Sequence, residues 1–268
     1  MVAPSPAVKR VAKDALNRQL LKSVTVCCVA IFAFFIISLT SSLISVFAGE
    51  IGYSVSMCVM TFLVLQPLLL GVLSYFRRLV FDQDDSVLII FRYFSNLEEY
   101  RRAMTLISML TIRFILSAAI LFLPCIVVYI LSTETVYNLL DMPMPSWTSN
   151  LWTLNSFLAI LAAFGLVFVM LRYYLAPFIF VSNDELDPAE AVNMSKIIAK
   201  RTGADFFGLV LSFIPWLLLS IFVAPLIFTL PYFISSYCVH CRFAINDYNR
   251  DVDKFNASAT PSFSTDEI

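Results

Sequence analysis

Arg113, Arg172 and Asp205 lie within or against the apolar runs of this 268-residue chain. A charge inside a membrane-length apolar run is a functional hint by default, because leaving it unpaired in hydrocarbon is expensive. Acting together, the two guanidiniums would bind a phosphate or carboxylate, with Asp205 as counter-ion. The plainer alternative is that both arginines snorkel to the nearer interface on their aliphatic stems. Asp205 would then be a solvated aspartate at a helix start. A second set, Lys196, Lys200 and Arg201, falls on one predicted amphipathic helix and would meet anionic lipid headgroups. A third, Cys238-Val239-His240-Cys241, holds the only histidine. It is a weak zinc or redox motif because no second ligand pair exists. The simpler reading is two lipid-facing cysteines at a helix end, with His240 as an interfacial polar residue.

No Asp or Glu falls in the middle of any apolar run, which argues against an intramembrane aspartyl protease and against a carboxylate proton relay. The chain has no G-x-S-x-G, Walker loop or H-E-x-x-H, so the usual hydrolase, nucleotide and zincin chemistries lack their residues. No cofactor or metal is expected, and the expectation is a protein that is not an enzyme.

The elements that must position these residues are membrane helices. Sixty per cent of residues are hydrophobic and 14% charged, with mean hydropathy +0.84, whereas a soluble domain carries about a quarter charged residues. The apolar residues come in runs of about 20 or more, long enough to cross a bilayer. The formal net charge of −1 supplies no basic field for nucleic acid. The six cysteines lie mostly inside apolar runs, where cysteine behaves as a small hydrophobe.

The fold class expected is an all-α integral membrane protein with about six transmembrane helices plus short interfacial amphipathic helices. Residues 1–23 form a basic cytoplasmic segment, either an interfacial helix or a charged tail that orients the first span. The run after it is too long for a cleaved signal peptide. The membrane domain covers 24–245, with spans at about 24–47, 55–76, 108–131, 154–175, 206–222 and 225–244. Residues 246–268 form a polar cytoplasmic tail, expected to be disordered.

Between these spans, Val87–Phe94 is too short to cross and is expected at the interface. Ser95-Asn96-Leu97-Glu98 reads as a capping box opening the long helix of span 3. Trp147 and Trp152 suit an interfacial aromatic belt. Pro177 is expected to kink the end of span 4. Asp187-Pro188-Ala189-Glu190 starts the amphipathic helix, and Gly203 is expected to end it. Segment 206–244 is interrupted by Pro215, Pro225 and Pro231 and reads as two short spans or one broken or re-entrant one. Gln66-Pro67, Pro124 and these later prolines could free backbone groups to hold a solute, or be re-satisfied by neighbours.

With six spans, the three outer turns contain no Lys or Arg, so the positive-inside rule places both termini in the cytoplasm.

Two stretches carry a resemblance. V-S-N-D-E-L-D-P-A-E-A-V-N-M-S, from Val181 to Ser195, is similar to L-A-D-N-P-x-L-S-A-x-E-A-L-x-x-S of the bacterial membrane family called domain of unknown function 975. L-S-F-I-P-W at 211–216 resembles that family's L-S-F-I-G-W, and Pro231-Tyr232 matches a later P-Y. P-L-L-L-G-V-L-S-Y-F-R-R-L also resembles its first half, so the likeness runs from about 10 to 248. Asp184 stands where the family pattern has proline, and Pro215 where it has glycine. The resemblance implies an integral protein of the bacterial cell membrane and brings no activity or catalytic residue with it.

Two functions fit these residues. One is a non-enzymatic membrane protein that binds membrane lipids or other membrane proteins. The other is a small transporter or channel for an anionic solute.

Overall fold

The computed structural model describes residues 5–83, 86–133, 148–219 and 223–259, and every regular element among them is helical. Three helical stretches, Leu20–Val80, Leu97–Ser132 and Asn150–Met170, are long and apolar enough to cross a membrane. The chain divides into two compact units. One comprises Met1–Ile107 with Leu175–Ile268, the other Ser108–Tyr174.

Helix α1 (Ser5–Arg18) buries Val8, Ala12, Ala15 and Leu16, apolar side chains at helical spacing that form one stripe. The stripe packs on the C-terminal helix of the same unit. The basic N-terminal segment is therefore helical, and it spends its apolar face on the protein.

Helix α2 (Leu20–Met60) breaks at Gly49, whose φ of 67° and ψ of −164° lie outside the helical region. Glycine adopts such a conformation without the Cβ penalty. The consequence is a reversal. A straight 61-residue helix would separate its ends by roughly 90 Å, yet Arg18 pairs with Asp82 and the Tyr75 hydroxyl reaches Gln19 Oε1 at 3.5 Å. The two arms thus form a hairpin, as the separate spans expected at 24–47 and 55–76 require.

A π-turn, Thr61–Leu65, joins α2 to α3 (Gln66–Val80). Its cause is Pro67, which has no N–H to offer and whose ring crowds the carbonyl four residues back. That carbonyl, Leu63 O, accepts instead from the Tyr100 hydroxyl at 3.0 Å. The backbone group freed by this proline is taken by a side chain of the protein itself.

The segment expected at the interface is a 3₁₀ turn, Val87–Phe91, followed by α4 (Arg92–Ser95). It docks on α3, burying Ile90 and Tyr93. The approach is so close that a Cβ on Gly71 would lie 1.9 Å from the Ile90 carbonyl oxygen. Helix α5 (Leu97–Ser132) follows. Its cap is Asn96, whose Oδ1 accepts from Glu98 N–H at 3.1 Å, while the Ser95 hydroxyl donates to Arg92 O. The expected capping box is thus replaced by a single Asn cap one residue later. Within the second unit α5 continues with Pro124 inside it, and α6 (Thr148–Met170) places Gly165 against Leu121. Trp152 packs edge-on to Tyr129 at 5.9 Å. Pro143, Pro145 and Trp147 lie outside the described residues.

At Pro177 the structure shows a full break where a kink was expected: α6 ends at Met170 and α7 (Ala176–Ser182) restarts with the proline in its first turn, where a missing N–H costs nothing.

Helix α8 (Pro188–Leu211) starts as expected. Asp187 Oδ2 accepts from Ala189 N–H at 3.1 Å, a cap worth about 1 kcal/mol. It does not stop at Gly203, which stays buried inside the helix. Glycine inside a helix costs only about 1 kcal/mol, less than the burial of Leu209 on the far side returns. The break comes at Ser212–Phe213, followed by α9 (Ile214–Leu219) with Pro215 in its first turn. The fifth span expected at 206–222 is therefore two helical pieces among the described residues. Helix α10 (Val223–Ala259) contains Pro231 and continues well past Asn246. The part of the expected disordered tail up to Ala259 is helical, with exposed Arg201 and Asp251 paired at 2.9 Å.

Candidate functional site

The structure does not gather the predicted site residues into one place. Arg113 and Arg172 belong to the second unit, Asp205 to the first. Arg113 is half-buried and its guanidinium stands 5.4 Å from the Tyr173 ring centre, a cation–π contact that suits a desolvated arginine. Its Nη1 is buried with no hydrogen-bond partner among the described residues. Arg172 is exposed. Asp205 is exposed in the middle of α8, because that helix runs through Gly203. It is not the helix-start aspartate that the sequence suggested.

The basic set on α8 is partly accessible. Lys200 and Arg201 are exposed and Lys196 half-buried, opposite a buried stripe of Ala191, Val192, Ser195, Ile198, Ala199 and Thr202. This stripe packs on α7 and α10, so α8 presents its basic edge outward while the protein covers its apolar face.

Cys238, His240 and Cys241 are each buried inside the first unit, with the imidazole 5.6 Å from the Phe206 ring. Protein surrounds these cysteines, which corrects the lipid-facing reading, and His240 is a core residue. Among the described residues no group of three His, Cys, Asp or Glu could hold a metal ion.

The densest polar arrangement was not singled out in the sequence. Arg92 donates through Nε to Glu99 Oε2 at 3.1 Å and through Nη2 to Glu99 Oε1 at 3.4 Å. The same Nη2 meets Asp184 Oδ2 at 2.9 Å. Burial opposes the charge of Arg92, but the hydrogen bonds to Asp184 and Glu99 outweigh it and raise its pKa. Tyr93 stacks on Phe180 at 6.2 Å, and burial pushes its hydroxyl above the usual phenol range. Arg102 stands over the same Phe180 ring and donates to Leu186 O at 2.8 Å.

Two further arginines extend the cluster. Arg77 reaches Val181 O and Ser182 O, at 3.4 and 3.2 Å, and Arg242 reaches Val80 O at 3.0 Å. These carbonyls belong to the last residues of α7 and α3, which have no helical partner of their own. Cations at helix C-termini also meet the negative end of the macrodipole. Both guanidiniums lie over the Phe81 ring, at 5.5 and 4.4 Å.

Chemically this is a clamp. Arg92 spends its donors on two carboxylates, and the space beside it is only about 10 Å³, at the threshold for one water. The clamp joins α3, α4, the start of α5, the end of α7 and the loop after it. Asp184, one of the two residues that depart from the resembling family pattern, closes it. No local sequence signal marks it, because Arg92 and Glu99 are seven residues apart across a helix break and Asp184 is remote in sequence.

None of the curated proteins compared matches the chain, and no solved structure does. The family model described as Protein of unknown function (DUF975) matches residues 1–243, and the chain belongs to that family.

Proposed function

We propose that this is a non-enzymatic multi-pass protein of the cytoplasmic membrane, with both termini on the cytoplasmic side, that binds membrane lipid or other membrane proteins. One observation carries the reading: the apolar surface of the long helices is left uncovered. The most apolar window of Leu20–Val80 is 22% buried within the protein, and those of Leu97–Ser132 and Asn150–Met170 are 6% buried. Apolar surface on that scale calls for hydrocarbon or another apolar protein face. The reversal at Gly49 supports two crossings within 20–80, since each arm exceeds the roughly 20 residues that a span needs. The outward basic edge of α8 supplies the headgroup contact.

The test is retention of anionic phospholipid by purified protein, counted by native mass spectrometry. Lys196→Ala/Lys200→Ala/Arg201→Ala is expected to lower the number retained, and unchanged retention would contradict the headgroup contact. Transport of an anionic solute is the second reading, supported by the buried Arg113 Nη1 that lacks a partner among the described residues. In proteoliposomes of the same preparation, anion flux lost in Arg113→Ala would favour it over the first.

A further inference from the structure

In the first unit, α1, α9 and α10 enclose an open cleft of about 400 Å³, within the range of small-ligand sites. Its surface is mostly apolar, and its lining includes Leu16, Trp216, Phe228 and Tyr232, together with Lys13 and Asn17 of α1. Trp216 and Phe228 are 48% and 58% exposed, large aromatics that the protein itself leaves half open. The aromatic wall is held in place from behind. Tyr232 packs edge-on to Phe213 at 5.2 Å and Trp216 to Tyr232 at 6.5 Å. Lys9 lies 4.4 Å from the Phe213 ring centre and donates to Ser212 O at 3.0 Å, fixing α1 against the end of α8. Burial lowers the pKa of Lys9.

Lys13, unlike Lys9, has no hydrogen bond or ion pair among the described residues. No acidic side chain appears among the residues lining the cleft. The cleft therefore offers one uncommitted ammonium and one amide from adjacent turns of α1, facing an apolar wall.

We infer that this cleft binds one anionic phospholipid, its phosphate on Lys13 and Asn17 and its proximal acyl carbons against Trp216, Phe228 and Tyr232. The occupant follows from the chemistry. A soluble metabolite would gain little from three aromatic faces, and a zwitterionic lipid would gain less from the unpaired cation. Half-exposed Trp and Tyr beside a lysine are the residue types that suit a headgroup boundary. The inference rests on the lipid-binding reading above, and it adds a site separate from the basic edge of α8.

Trp216 is its own reporter. In a Trp147→Phe/Trp152→Phe background only Trp216 fluoresces, and phospholipids brominated on the acyl chain quench it on contact. The account expects phosphatidylglycerol to quench Trp216 at roughly fivefold lower concentration than phosphatidylcholine. Lys13→Glu should remove that preference and Lys13→Arg should keep it, with thermal unfolding confirming that both variants fold. Equal quenching by the two lipids in the unaltered cleft would overturn the site, as would a preference that survives Lys13→Glu. Retention of anionic lipid that depends on Lys196, Lys200 and Arg201 would persist in that case, so the cleft can fail while the broader reading stands. Retention unchanged by Lys196→Ala/Lys200→Ala/Arg201→Ala but lost in Lys13→Glu would mark the reverse failure.

Discussion

Gly71→Ala is expected to destabilise the first unit by at least about 3 kcal/mol, the upper range for forcing volume into a packed interior. The added methyl would meet Ile90 O at 1.9 Å and the Ile90 carbonyl carbon at 2.6 Å. The obstacle is backbone, so no rotamer change relieves it. The 3₁₀ turn would have to lift from α3, exposing Ile90 and weakening the seat of Tyr93, both buried. Thermal unfolding in detergent, followed with a thiol-reactive dye on the buried cysteines, would register the loss. Gly208→Ala is the matched control: nothing lies within 4 Å of the Cβ position there, and alanine is the better helix former by about 1 kcal/mol. A Gly71→Ala protein as stable as the unaltered one would refute the close docking of this turn.

Arg92→Ala should cost about 2–3 kcal/mol. Its side chain is 19% exposed and that of Glu99 31% exposed, so removing the guanidinium strands a carboxylate that is largely shielded from water. Breaking a buried pair costs about 3–5 kcal/mol. Asp184 is 60% exposed and regains hydration, which places the expectation below that range. Arg92→Lys should recover only part of the loss, because a single ammonium cannot reproduce the fork that spans both Glu99 oxygens. The checking measurement is the unfolding midpoint of Arg92→Ala, Glu99→Gln and the double variant. A clamp predicts that the two single losses are far from additive. Additive losses would mean that the residues act separately.

Much of the membrane architecture is legible in the sequence because it depends on long-run composition. The apolar stretches, the gap between the spans at 24–47 and 55–76 and the long helix entering α5 follow from hydropathy and caps, all local signals. The Asp187 cap is equally local. The errors arise where a local signal is outvoted by packing. Gly203 reads as a stop, but the buried residues on both sides keep the helix going. Ser95 reads as a cap, yet α4 uses it and Asn96 takes the role. Val87–Phe94 reads as a surface patch because it is too short to cross, and only the bare backbone of Gly71 shows that it has a socket. The cysteines near His240 look lipid-facing because an apolar run has no visible inside or outside in one dimension.

The arginine clamp was hidden for a further reason. Its partners come from separate segments, and three of its members, Arg77, Arg102 and Arg242, bond to backbone carbonyls, which carry no sequence identity. The opposite happened at Pro67. The sequence suggests that proline could open a solute site, and the freed Leu63 carbonyl is occupied by Tyr100.

The most direct test of the account as a whole is topology in the native membrane. Single cysteines would replace Ser5, Glu50, Asn150 and Asn246 in a chain without its own cysteines, and intact cells would be treated with a membrane-impermeant maleimide. The account predicts labelling at positions 50 and 150 only, with positions 5 and 246 reacting after the membrane is opened. Labelling of position 246 from outside would contradict a cytoplasmic C-terminus. Release of the protein by an alkaline wash would contradict a membrane-spanning chain altogether.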